Sequence, residues 1–166
     1  MKNLCMGVLL LTWSVASGAK PTPQIIQSCL RTESVAGADY IEINPGSFNQ
    51  EDDEAGKKTF TTITVQGKEF GIWKETGSNR FGMVHAGKEI PIKRVIRLSS
   101  HAPSPFDPYT AQWGKARDTK SVYVCVTFNF EGLGESGSFQ NVRGLYLLEM
   151  NNARSRIFYI VGDIRQ

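Results

Sequence analysis

The chain has 166 residues, and its 19 Lys and Arg side chains against 16 Asp and Glu side chains give a net charge of +3. Nucleic acids and anionic membranes are held by a concentrated basic face, so this near balance argues against both as partners. The length suits one ordinary domain, which can bury a continuous core without a metal or dense cross-linking.

The first residues of the chain have the pattern of an export signal. Lys2 supplies a positive start, residues 8–13 a mostly apolar stretch, and residues 17–19, Ser-Gly-Ala, a small-residue cleavage site. The apolar stretch is too short to span a bilayer, and no second one follows it. We therefore expect residues 1–19 to be a signal peptide and residues 20–166 to form a single domain in the periplasm or outside the cell.

Processing would leave two cysteines, Cys29 and Cys125. In an oxidising compartment an isolated pair most simply forms one disulfide, which here would close a loop of about 95 residues and contribute about 4 kcal/mol in the chain-entropy model. The alternative is a nucleophilic or metal-binding cysteine, but neither cysteine has a histidine partner nearby in the sequence.

The segment after the signal has helical periodicity over one or two turns. Ile25, Ile26 and Cys29 fall on one side of a helix over residues 21–30. From Asp39 onward the pattern changes to short runs of β-branched and aromatic residues, which are typical of strands. We therefore expect a short N-terminal helix followed by a β-rich domain.

Two hairpins follow in the sequence. Thr-rich residues 59–74 turn at Gly67, and residues 80–98 turn at Gly87. Pro91 cannot donate to a strand ladder, so the last of these strands should start late or lie at the edge of a sheet.

The longest irregular stretch is predicted to be a loop over residues 99–120, rich in Pro, Ser, Asp and Thr. Long ordered loops in compact domains are often functional, so Phe106, Tyr109 and Trp113 are candidate contact residues on its surface. The alternative is that these rings fold back onto the core and fix the loop in place.

The last third of the chain has the clearest β pattern. Residues 122–130 alternate between apolar and mixed positions, as in a core strand, and residues 142–150 and 154–161 form a further pair joined by a turn-rich connection. About eight short strands without alternating helices predict an all-β fold, either an antiparallel β-sandwich or a small barrel.

Two motif matches in the connection after residue 130 are excluded by their context. Residues 132–137 spell G-x-G-x-x-G, but a strand follows where a dinucleotide site needs a helix. Residues 134–138 resemble the nucleophile segment of trypsin-like serine proteases, and residues 98–101 their histidine segment. The two segments are far too close in the sequence for that two-barrel fold, so no catalytic triad is predicted.

Other catalytic and metal-binding patterns are also incomplete. His85 and His101 have no metal-ligand spacing with other donors, and Glu131 and Glu135 share one Gly-rich loop that would not hold an acid/base pair rigidly. Acidic residues 51–54 lack the spaced ligands and glycine of a calcium loop, so they are predicted to be a solvated loop. We expect no enzymatic activity, no metal and no cofactor.

The same connection carries four candidate binding residues, Glu135, Ser136, Ser138 and Phe139. Glycine permits close backbone approach, serine offers hydrogen bonds and phenylalanine an apolar anchor. Residues 136–139 are similar in kind to the serine-glycine loops with which bacterial periplasmic lysozyme inhibitors enter their target enzymes, and the resemblance implies an inhibitor of an exported hydrolase. The alternative is a plain hairpin connection.

Three functions remain after these exclusions. The leading one is an exported, non-catalytic binding protein that neutralises another exported protein, as an immunity protein against a delivered toxin or an inhibitor of a lysozyme-like hydrolase. The second is a carrier that holds a small ligand or lipid in an apolar barrel interior. The third is a small exported hydrolase whose site the sequence does not reveal.

Overall fold

The computed structural model describes residues 20–130, 141–150 and 156–165, in which one α-helix accompanies eleven strands. The helix, α1, is Pro23–Arg31, and a short 3-10 helix is Ile92–Arg94. The strands are β1 (Asp39–Glu42), β2 (Asn49–Asp52), β3 (Lys58–Val65), β4 (Lys68–Glu75), β5 (Phe81–His85), β6 (Lys88–Pro91), β7 (Ile96–Arg97), β8 (Gln112–Arg117), β9 (Val122–Asn129), β10 (Val142–Glu149) and β11 (Ile157–Asp163).

The strands form two sheets, so the predicted all-β class is confirmed and the sandwich, rather than a closed barrel, is the architecture of the described residues. The six-stranded sheet has the order β1-β8-β9-β10-β11-β7, and the five-stranded sheet has the order β2-β3-β4-β5-β6. Neighbouring strands are antiparallel except for β7, which runs parallel to β11. The prediction of about eight strands was too low.

Strands without an apolar alternation account for the undercount. β2 is an exposed edge strand of polar residues and takes in Glu51 and Asp52, which were predicted to lie in a loop. β8 lies inside the segment 99–120, predicted to be loop throughout, because it is held between β1 and β9. The predicted second strand of the hairpin over residues 80–98 is divided by the 3-10 helix into β6 and β7, and Pro91 ends β6 at a sheet edge.

The two predicted hairpins are confirmed as β3–β4 and β5–β6. Their turn residues, Gln66-Gly67 and Ala86-Gly87, all have positive φ, between 50° and 73°. Two left-handed residues in a two-residue turn give the twist that suits antiparallel strands, and glycine at the second position makes this conformation accessible. The predicted pair near the C-terminus is also confirmed, as β10 and β11.

The main core fills the space between the two sheets. Its members come from alternate positions of both sheets, so that β3, β4 and β5 face β9, β10 and β11 across one apolar layer. The largest fully buried members are Phe70, Ile63, Ile72 and Met83 on one side and Tyr146, Tyr159 and Leu148 on the other.

A second core lies on the outer face of the six-stranded sheet, where α1 packs. Ile25, Cys29 and Leu30 of the helix contact a cluster that includes Tyr123, Cys125, Leu145, Leu147 and Phe158. The predicted Cys29–Cys125 disulfide is confirmed and joins the helix to β9 with a Cα–Cα distance of 5.8 Å. β9 was predicted to have one strongly apolar face, but the helix buries its other face too.

Both ends of α1 are fixed by specific hydrogen bonds. Thr22 caps the N-terminus by accepting a hydrogen bond from the Ile25 amide, and Pro23 follows at a position where its missing amide hydrogen is not needed. At the other end Thr127 Oγ1 donates to the Cys29 carbonyl at 2.8 Å. Among the described residues no helix is long and apolar enough to cross a membrane.

Candidate binding site

The segment before β8, residues 103–111, contains three prolines and is called the Pro-rich segment; two aromatic residues fix it to the core. Phe106 is 3% exposed and stacks on Phe128, with ring centroids 5.5 Å apart. Trp113 is 2% exposed and its Nε1–H donates to the Pro108 carbonyl at 3.0 Å. The expectation that both rings are exposed contact residues was wrong, because each fills space in the apolar core, as the alternative stated.

Tyr109 is exposed, as a contact residue must be. Its side chain is 59% exposed, and its ring packs against Phe48 with the centroids 4.7 Å apart. The hydroxyl donates to Gln50 Oε1 at 2.8 Å, and the backbone amide donates to Asp107 Oδ1 at 3.0 Å. Since these contacts orient the ring before any partner arrives, binding through Tyr109 would cost little conformational entropy.

A cavity of about 560 Å³ lies between the Pro-rich segment and the ends of β9 and β10. Phe106 and Phe128 contribute apolar surface, and the other lining residues carry hydroxyl, amide, carboxylate or guanidinium groups: Ser104, Asp107, Thr110, Gln112, Thr127, Asn129 and Arg143, together with Pro105. A few placed polar groups around an apolar floor are typical of a ligand pocket of this size.

Arg143 connects this cavity to the helix. Its Nη1 donates to the Leu30 carbonyl at 2.7 Å and to Gln112 Oε1 at 3.3 Å. The cavity wall is therefore attached to the last turn of α1 at Leu30, the residue next to the disulfide-bonded Cys29. Sequence reasoning missed Arg143; the available signal was the one charge in the interior of strand β10, whose other charge is its last residue, Glu149.

The described residues that flank the connection 131–140 lie beside the cavity under the Pro-rich segment. The connection 131–140 departs from Asn129 and Phe130 and returns at Val142, and the Phe130 amide donates to the Val142 carbonyl at 3.1 Å. Asn129 also lines the cavity beneath the Pro-rich segment. The candidate residues Glu135, Ser136, Ser138 and Phe139 lie outside the described residues.

Neither histidine of the described residues is hydrogen-bonded or ion-paired to a carboxylate. His85 Nδ1 pairs with the Glu69 carbonyl oxygen at 3.1 Å, and burial lowers its pKa below the usual 6.5. His101 packs edge-on against Phe130, with ring centroids 5.2 Å apart. Cys29 and Cys125 form a disulfide with each other, so neither is a thiol nucleophile or a thiolate ligand in this structure.

The acidic run 51–54 does not gather into a metal site in the part of the chain that the structure describes. No group of three or more potential His, Cys, Asp or Glu ligands is found there. Asp53 instead accepts hydrogen bonds from the amides of Lys57 and Lys58, at 2.6 and 3.0 Å, and so closes the turn between β2 and β3.

Comparison with known proteins found no matching family model, no matching curated protein and no matching solved structure.

Proposed function

We propose that this is an exported, non-catalytic protein that binds and neutralises another exported protein through the end of the sandwich that holds the cavity. The observation that carries the proposal is that the Pro-rich segment and the base of the 131–140 connection border one cavity. Loops presented together by a rigid scaffold are the usual way in which a β-sandwich forms a binding surface.

The described contacts suit a preorganised surface. Phe106 and Trp113 fix the Pro-rich segment from below, the Tyr146 hydroxyl donates to the Ser104 carbonyl at 2.7 Å, and Tyr109 remains at the surface. A surface that is ordered before binding loses less entropy when the partner docks. Tyrosine is also among the residues that most often contribute binding energy at protein interfaces.

The Gly- and Ser-rich connection supplies the second part of the proposed surface. Its residues Glu135, Ser136, Ser138 and Phe139 would enter a cleft of the partner, by analogy with the serine-glycine loops of periplasmic lysozyme inhibitors. The partner we propose is therefore a cell-wall hydrolase or a delivered toxin with an open active-site cleft.

Export through an N-terminal signal is part of the same proposal. The Cys29–Cys125 disulfide is compatible with an oxidising compartment. Expression of the full chain in an exporting host, followed by intact-mass measurement, should give a product that begins at Lys20. A product that retains residues 1–19 would contradict the proposed cleavage.

The functional test is affinity capture with the exported protein from periplasmic extracts and from proteins secreted by competitors. A retained hydrolase or toxin should lose activity when the protein is added. Tyr109→Ala and Phe139→Ala should each weaken binding about tenfold or more, as expected for contact residues near the centre of an interface. Lys120→Ala, beyond the opposite end of β8, is the control and should leave affinity unchanged. Equal affinity of all three variants would reject this surface.

The competing hypothesis of an apolar barrel interior finds no support in the main core. The rings of Phe106, Phe128 and Tyr146 are in mutual contact there and Tyr159 contacts Tyr146, with centroid distances of 4.9 to 5.9 Å.

A further inference from the structure

A groove with a basic lining lies where the edges of the two sheets meet. β6 is an edge strand of the five-stranded sheet and β7 an edge strand of the six-stranded sheet, and the 3-10 helix carries the chain between them. Val95, 6% exposed, anchors this crossover in the main core. The groove has a volume of about 560 Å³ and shares no lining residue with the cavity under the Pro-rich segment.

The charge around this groove is concentrated in one short segment. Lys88, Lys93, Arg94 and Arg97 are all exposed within ten residues of sequence. Of these, Lys88 and Arg94 line the groove, and Lys68 lines it from β4. The nearly even overall charge of the chain conceals this local excess, which is why composition alone gave no sign of it.

The acidic residue that lines the groove, Glu89, is paired with a lysine outside the groove lining. Glu89 accepts two hydrogen bonds from the Lys58 ammonium group, at 2.8 and 3.1 Å. None of the ion pairs among the described residues involves Lys68, Lys88 or Arg94. Within the part of the chain that the structure describes, these three cations are available to a ligand.

The groove lining also contains His85, Glu89 and Arg156, and its apolar part is formed mainly by three isoleucines. Ile90 is half-buried, Ile157 is buried, and Ile96 is 38% exposed. A purely polar anion would leave the exposed surface of Ile90 and Ile96 uncovered, whereas an alkyl chain would bury it at about 25 cal/mol per Å² of apolar surface. The combination of cations at the rim and isoleucines in the wall suits a ligand with both an anionic head and an apolar body.

We propose that this groove binds a single anionic amphiphile, with its carboxylate or phosphate head at Lys68, Lys88 and Arg94 and its alkyl chain along Ile90, Ile96 and Ile157. Its volume lies within the range of about 300–1,000 Å³ that is typical of small-molecule sites. The site does not depend on the protein partner proposed above, so either proposal can fail without the other.

The test is calorimetric titration of the exported protein with dodecanoate and with dodecyl phosphate, each below its micelle concentration. Dodecyltrimethylammonium and dodecyl maltoside control for the alkyl chain, and inorganic phosphate controls for the head. We expect one or both anionic amphiphiles to bind at one site per chain, more weakly as salt is raised, and at least about tenfold more tightly than any control. The stronger of the two identifies the preferred head.

Matched variants locate the site. Lys88→Glu with Arg94→Glu should weaken binding about tenfold or more, and Ile96→Asn should weaken it while leaving the salt dependence unchanged. Lys115→Glu with Lys120→Glu changes the net charge equally at the opposite edge of the six-stranded sheet and should leave binding unchanged. Circular dichroism of each variant checks that it is folded, and a variant that is not folded is replaced by its Gln counterpart.

Three results would overturn the proposal. One is equal binding of the cationic and anionic amphiphiles, which would indicate nonspecific apolar adsorption. The second is equal loss in the groove and control variants, which would indicate a net-charge effect. The third is binding to anionic vesicles without binding of either monomeric amphiphile, which would indicate a membrane-facing surface rather than a ligand site.

Discussion

The outer faces of the two sheets differ in what covers them. On the six-stranded sheet, α1 and the disulfide bury Cys125, Leu145 and Phe158 to 1% exposure or less. The outer face of the five-stranded sheet has no helix among the described residues, and there Lys58 lies 4.9 Å above the ring of Trp73 while pairing with Glu89. A helix thus covers the outer face of one sheet, whereas no helix of the described residues covers the outer face of the other.

The sequences of the strands record this difference. β9 and β10 carry apolar residues on both faces, as is typical of strands buried on both sides. β3 and β4 mix Thr, Lys and Glu with their apolar residues. A near-continuous apolar run therefore indicates a second covering layer, here a helix that is far away in the sequence.

The largest effect is expected from removing the disulfide that holds this covering helix. Replacing Cys29 and Cys125 together with serine should lower the free energy of unfolding by about 4–5 kcal/mol, because the bridge joins residues 96 apart and restricts the unfolded chain. Urea denaturation of the exported protein measures the change. A loss below about 1 kcal/mol would mean that the helix is held without the bridge.

Truncation of apolar side chains compares the two outer faces directly. Ile25→Ala, under the helix at 0% exposure, should cost about 2–5 kcal/mol, since it leaves a cavity in a closed layer. Phe60→Ala removes a larger but half-exposed side chain from the open face and should cost about 1 kcal/mol. The same urea titrations measure both, and an equal or larger loss for Phe60 would contradict the difference between the faces.

A matched pair of threonine substitutions sharpens the comparison further. Thr127→Val deletes the buried hydrogen bond to the Cys29 carbonyl and should cost about 1 kcal/mol, because that carbonyl would keep only the longer bond from the Thr32 amide, at 3.3 Å. Thr64→Val makes the same change at an exposed position of β3 and should stay within about 0.5 kcal/mol. Similar losses for the two variants would show that the hydrogen bond from Thr127 to the helix adds nothing to the free energy of unfolding.

The smallest effect concerns pH and belongs to the five-stranded sheet. Burial lowers the pKa of His85 in the folded protein below 6.5, so the unfolded chain binds a proton more readily. This contribution to stability is complete above about pH 6.5 and is lost as the pH falls below that value. His85→Gln should therefore reduce the loss of stability between pH 7.5 and 5.5, as measured by thermal unfolding at each pH. An unchanged pH dependence of the unfolding temperature would contradict this role of His85.

Local sequence patterns predicted much of the fold. The helix, both two-residue hairpin turns, β9 and the disulfide follow from periodicity, turn chemistry and the number of cysteines, all of which are local or compositional signals. β2 was missed because an edge strand with all four side chains in solvent needs no apolar alternation.

The candidate sites were less predictable than the fold. An aromatic residue in a Pro-rich segment can point inward or outward, and only the packing shows that Phe106 and Trp113 point inward while Tyr109 does not. The basic groove joins β4, β6 and β7, whose residues meet only after both sheets have formed. The sequence pattern of any one of these strands could not indicate it.

Hydrogen exchange of the protein, alone and in complex with a captured partner, tests most directly whether the loop end is the binding surface. The proposal predicts slower exchange in residues 103–112 and 129–143 on binding, with β5 and β6 unchanged. Slower exchange confined to the groove between β6 and β7, or to the open face of the five-stranded sheet, would contradict it.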